Sequence, residues 1–313
     1  MNYNQLIEWL LEGDISIVYR TKKELLNEDN KSLKKLEKRL THDDGYIKQY
    51  LEYRDSKTGL WANGIYLPKY TSTHYTMLEL KNLNCPKDLP EYYESALILL
   101  DTKWLRGKNG KRNPDLCVMA MIGSIVSYAR IIDSKLYDIV DYILEHVQTD
   151  GGFNCSWERS DVSSVHTTLT TLRFFLDYEL NDYSYRLKEI KVIALNAERF
   201  LLDRNLYQKK NSSITIHKNF INMPYPNRWK FDFLKALEYF VDRGRPYDEG
   251  MNPALNLLVD KRLKSGAWSN TRGYGGKEYF KIKDEGRDSR INTLRALKVL
   301  KFYRPEAIDK IKN

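Results

Sequence analysis

Three cysteines in 313 residues, Cys85, Cys117 and Cys155, are too few for a disulfide framework and point to a reducing compartment. The nine prolines and 16 glycines are scattered, so no flexible linker divides the chain, and a single domain over residues 1–313 is expected. Long apolar runs are missing as well. The longest, Cys117 to Ala129, is broken by Gly123, Ser124 and Ser127 and is well short of the ~20 residues that a membrane-spanning helix needs. The opening MNYNQLIEWLLEG carries Glu8 and Glu12 and no basic stretch, unlike a secretory signal. A soluble, cytoplasmic protein is the expectation. Alternation of apolar and polar residues, the mark of a half-buried strand, is almost absent, which argues against a sheet-based enzyme.

What is present is enough for a sizeable core: 42% of residues are hydrophobic, and the aromatic share reaches 12% with 23 Tyr and 6 Trp. Lys and Arg number 51 against 42 Asp and Glu, a balance of +9 that favours anionic partners. The basic residues are mixed with acidic ones, as in Lys34, Lys35, Glu37 and Lys38, and no recognised nucleic-acid module occurs, so nucleic acid is not the expected partner.

An internal repeat organises the chain. Six segments share one grammar, a polar or Pro start followed by an apolar or mixed helix. They begin at Asp14, Thr71, Pro114, Val162, Pro226 and Arg287, 43 to 64 residues apart. More polar helices lie between them, such as SLKKLEKRL from Ser32 and KLYDIVDYILEHV from Lys135. One helix of each pair faces an interior and the amphipathic one covers it. Six pairs fit a closed double ring, an all-α (α/α)6 toroid. An open solenoid is the alternative, but its repeats are mostly shorter, ~34–47 residues. The loops SKTGLWANG (from Ser56), QTDGGFNCSW (from Gln148) and KSGAWSN (from Lys264) each set a Gly before an aromatic ring, which suits packing under the next helix pair.

The six-pair grammar and the Gln148…Asp150-Gly151-Gly152-Phe153 turn resemble the prenyltransferase and squalene-cyclase superfamily of α/α toroids, and most of all the β subunits of protein prenyltransferases. Neither an Asp-x-Asp-Asp acid nor an Asp-Asp-x-x-Asp ionising motif occurs, so cyclisation of the squalene type is disfavoured. The resemblance implies an isoprenoid diphosphate, or another apolar small molecule with an anionic head, as ligand. It also implies transfer of a prenyl group to a thiol acceptor with the help of Zn²⁺.

The residues that match the family pattern are few. Asp115-x-Cys117 opens the third inner helix and His166 the fourth; a carboxylate, a thiolate and an imidazole suit Zn²⁺ with one position open. A core cysteine and a hydrogen-bonded structural histidine explain the same residues. The run Lys103, Arg106, Lys108, Lys111 and Arg112 lies where the family holds the diphosphate, with Lys108, Lys111 and Arg112 the expected contacts; a solvated surface is the other reading. His74 matches a diphosphate donor, with Tyr75 and Trp61 beside it as substrate contacts. Aromatic residues on or before the inner helices, among them Tyr128, Phe174, Phe175, Trp229 and Phe233, fit either an isoprenoid tunnel or an ordinary core. The sequence departs from the family at Val118 and Val165, where the family has aromatic residues, which favours a binding module without catalysis.

Overall fold

The structure, a computed structural model, describes residues 1–102, 114–271, 275–282 and 286–312. Among these residues the secondary structure is helical, and the only β pairing is a handful of isolated bridges.

Six helices lie deepest. They are α2 (Ile15–Arg20, continued by a wider π turn over Thr21–Leu25), α5 (Thr73–Asn82), α7 (Leu116–Tyr128), α9 (Val165–Leu180), α11 (Phe233–Asp242) and α13 (Arg290–Tyr303). All begin within the six repeated segments. In α7 eleven of thirteen residues are buried, so the helix is apolar all round, as a surface helix cannot be. The covering helices read differently. In α8 (Ser134–Leu144) the buried residues are Leu136, Ile139, Val140, Ile143 and Leu144, one stripe of helical period with polar residues opposite. The remaining helices are α1 (Tyr3–Leu11), α3 (Asn30–Arg39), α4 (Tyr46–Glu52), α6 (Pro90–Asp101), α10 (Leu187–Leu202), α12 (Asn252–Asp260) and α14 (Pro305–Lys312).

Helix starts are set by short polar caps. Asp14, Ser164, Asp232 and Ser289 each accept a backbone N–H from the first turn of α2, α9, α11 and α13. Neighbours among the deep helices run parallel, because their side chains meet at matching depth. Ser124 of α7 and Lys81 of α5 both reach Asp177 of α9, and Arg173 of α9 reaches Asp242 of α11. Arg295 of α13 reaches Glu238 of α11, and Lys298 of α13 reaches Glu24 beyond α2. α7 packs on α5 and α9, α11 on α9 and α13, and α13 on α2. The first and last helices also touch, α1 against α14.

The Gly–aromatic loops share one device. The backbone N–H of Trp61 donates to Thr73, that of Phe153 to Thr168 and that of Trp268 to Thr293, at 2.9–3.0 Å. In each case the acceptor is a threonine hydroxyl in the first turn or so of the following deep helix. All three rings are fully buried, and the two indole N–H groups donate to backbone carbonyls of the preceding helix, Tyr50 and Leu258. The ring fills the space between two helices while its backbone latches the next one, so the loop motif is a packing element.

Gly123 of α7 faces Phe174 of α9. A methyl group there would lie 2.6 Å from the buried ring of Phe174. Helix propensity alone favours Gly123→Ala by about 1 kcal/mol. Overpacking against a ring that cannot move costs about 1–3 kcal/mol and outweighs it. The variant is therefore expected to unfold at lower urea than the native chain, whereas a loosely packed interface would let the alanine stabilise.

Candidate anion-binding cavity

Side chains from all six deep helices surround a cavity of about 730 Å³. Its walls are charged, although the helices that carry them are otherwise apolar. Among the described residues, ten Lys or Arg line it against four Asp or Glu. The charges come at helical spacing: Arg20 and Glu24, Arg173 and Asp177, Lys235 with Glu238 and Asp242, Arg295 and Lys298.

All four carboxylates are engaged. Glu238 accepts from Arg295 at 2.7 Å and lies 3.9 Å from Arg20. Glu24 meets Arg20 at 2.7 Å and Lys298 at 3.1 Å. Asp242 meets Lys298 and Arg173, and Asp177 meets Lys81 at 2.6 Å. Burial would push Glu24 up, but Arg20 and Lys298 outweigh it and hold its carboxyl at about 2. Glu238 is likewise lowered against the pull of burial, chiefly by Arg295.

The cations are not all so matched. Lys235, Lys87, Lys301 and Lys23 form no ion pair among the described residues. Lys235 has only a long contact to the carbonyl of Lys230, at 3.5 Å. Lys87 donates to Asn181 and Lys301 to the carbonyl of Leu25. Lys23 sits over the ring of Tyr19. Burial holds the Lys235 ammonium down to about 8, and Arg173, Arg295 and Lys81 push the same way against Asp232. Lys87 and Lys301 are lowered by burial as well, Lys87 also by Arg130. Cations gathered without counter-charges around a void leave the electrostatic work of an anion undone.

The loop before α11 supplies Tyr225, Asn227 and Arg228 to the same wall. Tyr225 and Asn227 are 6% and 5% exposed, yet the Tyr225 hydroxyl and Asn227 Oδ1 have no hydrogen-bond partner. The Tyr225 hydroxyl lies toward Glu79 without closing a bond to it. Unsatisfied buried polar atoms are costly, and these two belong to residues of the cavity wall.

The residues expected from the sequence stand elsewhere, at the first turns of the deep helices. Asp115 is the N-cap of α7, but its side chain does not cap that helix. Cys155 does so instead: its sulfur accepts the Cys117 backbone N–H at 3.1 Å and the Thr167 hydroxyl at 3.4 Å. The Cys117 thiol also donates to Cys155, which that bond holds down to about 7 against burial, while Cys117 is pushed up. His166 turns to another side. Its ring packs on Trp229, 4.9 Å between centroids, with Lys230 and Lys235 close enough to repel a proton. Among the described residues no group of three His, Cys, Asp or Glu side chains is arranged to hold a metal ion; Cys117 packs on Cys155 and His166 on Trp229.

His74 is fully buried between the rings of Tyr66 and Tyr75, and neither of its nitrogens has a partner. Trp61 and Tyr75 belong to the core and do not line the cavity. Of the aromatic residues expected to wall a tunnel, Tyr128 borders it, whereas Phe174, Phe175 and Phe233 are core. Lys108, Lys111 and Arg112 lie outside the described residues. The charged wall was missed because each of its helices was read for its apolar stripe. The signal was nonetheless there: Arg, Lys, Asp and Glu recur three or four apart inside segments such as FDFLKALEYF and RINTLRALKVL, which are too apolar to lie on the surface.

No helix among the described residues is long and apolar enough to cross a membrane. Comparison of the chain with known protein families, with characterised proteins and with solved structures found no match.

Two measurements test this arrangement. Glu238→Ala leaves Arg295 and Arg20 without their shared carboxylate, and breaking a buried pair costs about 3–5 kcal/mol. A urea midpoint within error of the native one would show the network to be solvated. Burial holds His74 and His166 at about 3, far below the unfolded value of about 6.5. Below pH 6.5 the unfolded chain binds protons that the folded one refuses, so stability falls as pH drops toward 3. Urea unfolding at pH 6.5 and 5 should show a loss of about 2 kcal/mol per histidine, and His74→Phe should remove its share.

Proposed function

We propose that this chain is a closed (α/α)6 toroid whose central cavity binds a small anion bearing at least two negative charges. The toroid reading is supported by six parallel deep helices around one cavity, each followed by more exposed helices. The binding reading is carried by one observation. Cations outnumber carboxylates ten to four on the cavity wall, the carboxylates are consumed by ion pairs, and lysines remain without counter-charge.

A diphosphate is the class that fits best, since it offers several acceptors to cations converging from different helices. The prenyl diphosphates suggested by the family resemblance are one version. Their chain would lie against Leu176, Val241 and the exposed Leu180 and Phe302, which also border the cavity. The cavity is too polar over the rest of its wall to serve as an isoprenoid tunnel throughout. Binding is the function proposed; zinc-assisted transfer of the prenyl group to a thiol is the version that the family resemblance implies.

Calorimetric titration with inorganic pyrophosphate and with a prenyl diphosphate tests the reading. Both should bind saturably, and chloride at matched ionic strength should not. Lys235→Met should weaken binding at least tenfold, since a hydrogen bond to a charged group contributes about 1.5–3 kcal/mol. The protonated amine is the binding form. Affinity should therefore fall as pH rises past about 8, and this fall should be absent in Lys235→Met. Tighter binding of the prenyl compound would assign the apolar rim to its chain; equal affinities would assign the head group alone. No saturable binding of either compound would sink the proposal.

A further inference from the structure

The three cysteines of the chain are not equivalent. Cys85 is 1% exposed and its thiol is pushed far up by burial. Cys117 and Cys155 are both partly exposed, and they meet at the start of α7, away from the cavity. The Cys155 sulfur lies 3.1 Å from the backbone nitrogen of Cys117, which puts the two side chains in hydrogen-bonding contact. It accepts three donors: that N–H, the Cys117 thiol and the Thr167 hydroxyl. Such donors stabilise negative charge on sulfur, as at other helix N-termini. The second cysteine is already in place beside the first.

We propose that Cys155 and Cys117 form a redox-active dithiol that reduces hydroperoxides and closes to a disulfide. In the first step the Cys155 thiolate attacks the distal oxygen of a hydroperoxide, ROOH. An S–O bond forms and the O–O bond breaks. Sulfur is oxidised to sulfenic acid, the peroxide is reduced, and the alkoxide leaves as ROH after taking a proton from water. In the second step the Cys117 sulfur attacks the Cys155 sulfur. The S–S bond forms, the S–O bond breaks, and the hydroxyl leaves as water with the Cys117 proton. The disulfide staples the first turn of α7 to the loop before α9, two places 38 residues apart. An external thiol reopens it. This inference does not depend on the anion-binding reading, because no residue of the cavity takes part.

Treatment of the purified, reduced chain with hydrogen peroxide, read by intact mass and peptide mapping, tests it. The native chain should lose the mass of two hydrogens, yield a Cys117–Cys155 linked peptide, melt several degrees higher, and revert with dithiothreitol. Cys117→Ser should instead stop at a sulfenic acid on Cys155 that dimedone traps. Cys155→Ser should slow oxidation of the remaining thiols at least tenfold. The native chain is measured first, so the test does not depend on the variants folding. Three outcomes would overturn the proposal: native thiols that stay reduced, a linkage through Cys85, or zinc in the untreated protein that shields both cysteines and is lost in either variant.

Discussion

The carboxylate of Glu238, held between Arg295 and Arg20, is the interaction on which the interior turns. It joins α11, α13 and α2, three helices from the two ends of the chain, through groups that are almost wholly buried. Charges in such a setting are tolerated only when paired with good geometry, so each carboxylate on the wall dictates where its cations stand. The chain of pairs then runs on, from Glu24 to Lys298 to Asp242 to Arg173. Helix register around the cavity follows from these meetings as much as from apolar packing.

A network of this kind is a poor way to gain stability, because well-packed apolar residues of similar volume do as well or better. Its use is positional. It holds a rigid frame of paired charges and leaves a remainder of cations facing open space. Lys235 illustrates the remainder: half-buried, with Arg173, Arg295 and Lys81 near it, and its ammonium held down to about 8 by desolvation. Two buried polar atoms beside the cavity wall, the Tyr225 hydroxyl and Asn227 Oδ1, have no hydrogen-bond partner among the described residues.

The other end of the deep helices has a different character. There the first turns are capped by serine, aspartate and one cysteine sulfur, and the histidines are buried and neutral. Cys117 and His166 begin neighbouring helices, as the repeat implies. Yet Cys117 faces the loop before α9, and His166 faces Trp229 before α11. Adjacent helix starts do not by themselves bring side chains to one point; the rotation of each helix about its axis decides that.

The repeat, the all-helical class and the split into apolar and amphipathic helices were legible in the sequence, because helical periodicity and burial leave their mark on every turn. The Gly–aromatic loops could also be read as packing elements, and the Trp61, Phe153 and Trp268 latches have that form. What only the tertiary structure decided is which polar residues meet. Arg20 lies more than two hundred residues before Glu238 and Arg295, and their contact depends on helix rotation and depth, which local periodicity does not encode. For the same reason Cys155, in the QTDGGFNCSW loop, became the partner of Cys117, while the histidine that sequence order placed beside it turned to another neighbour.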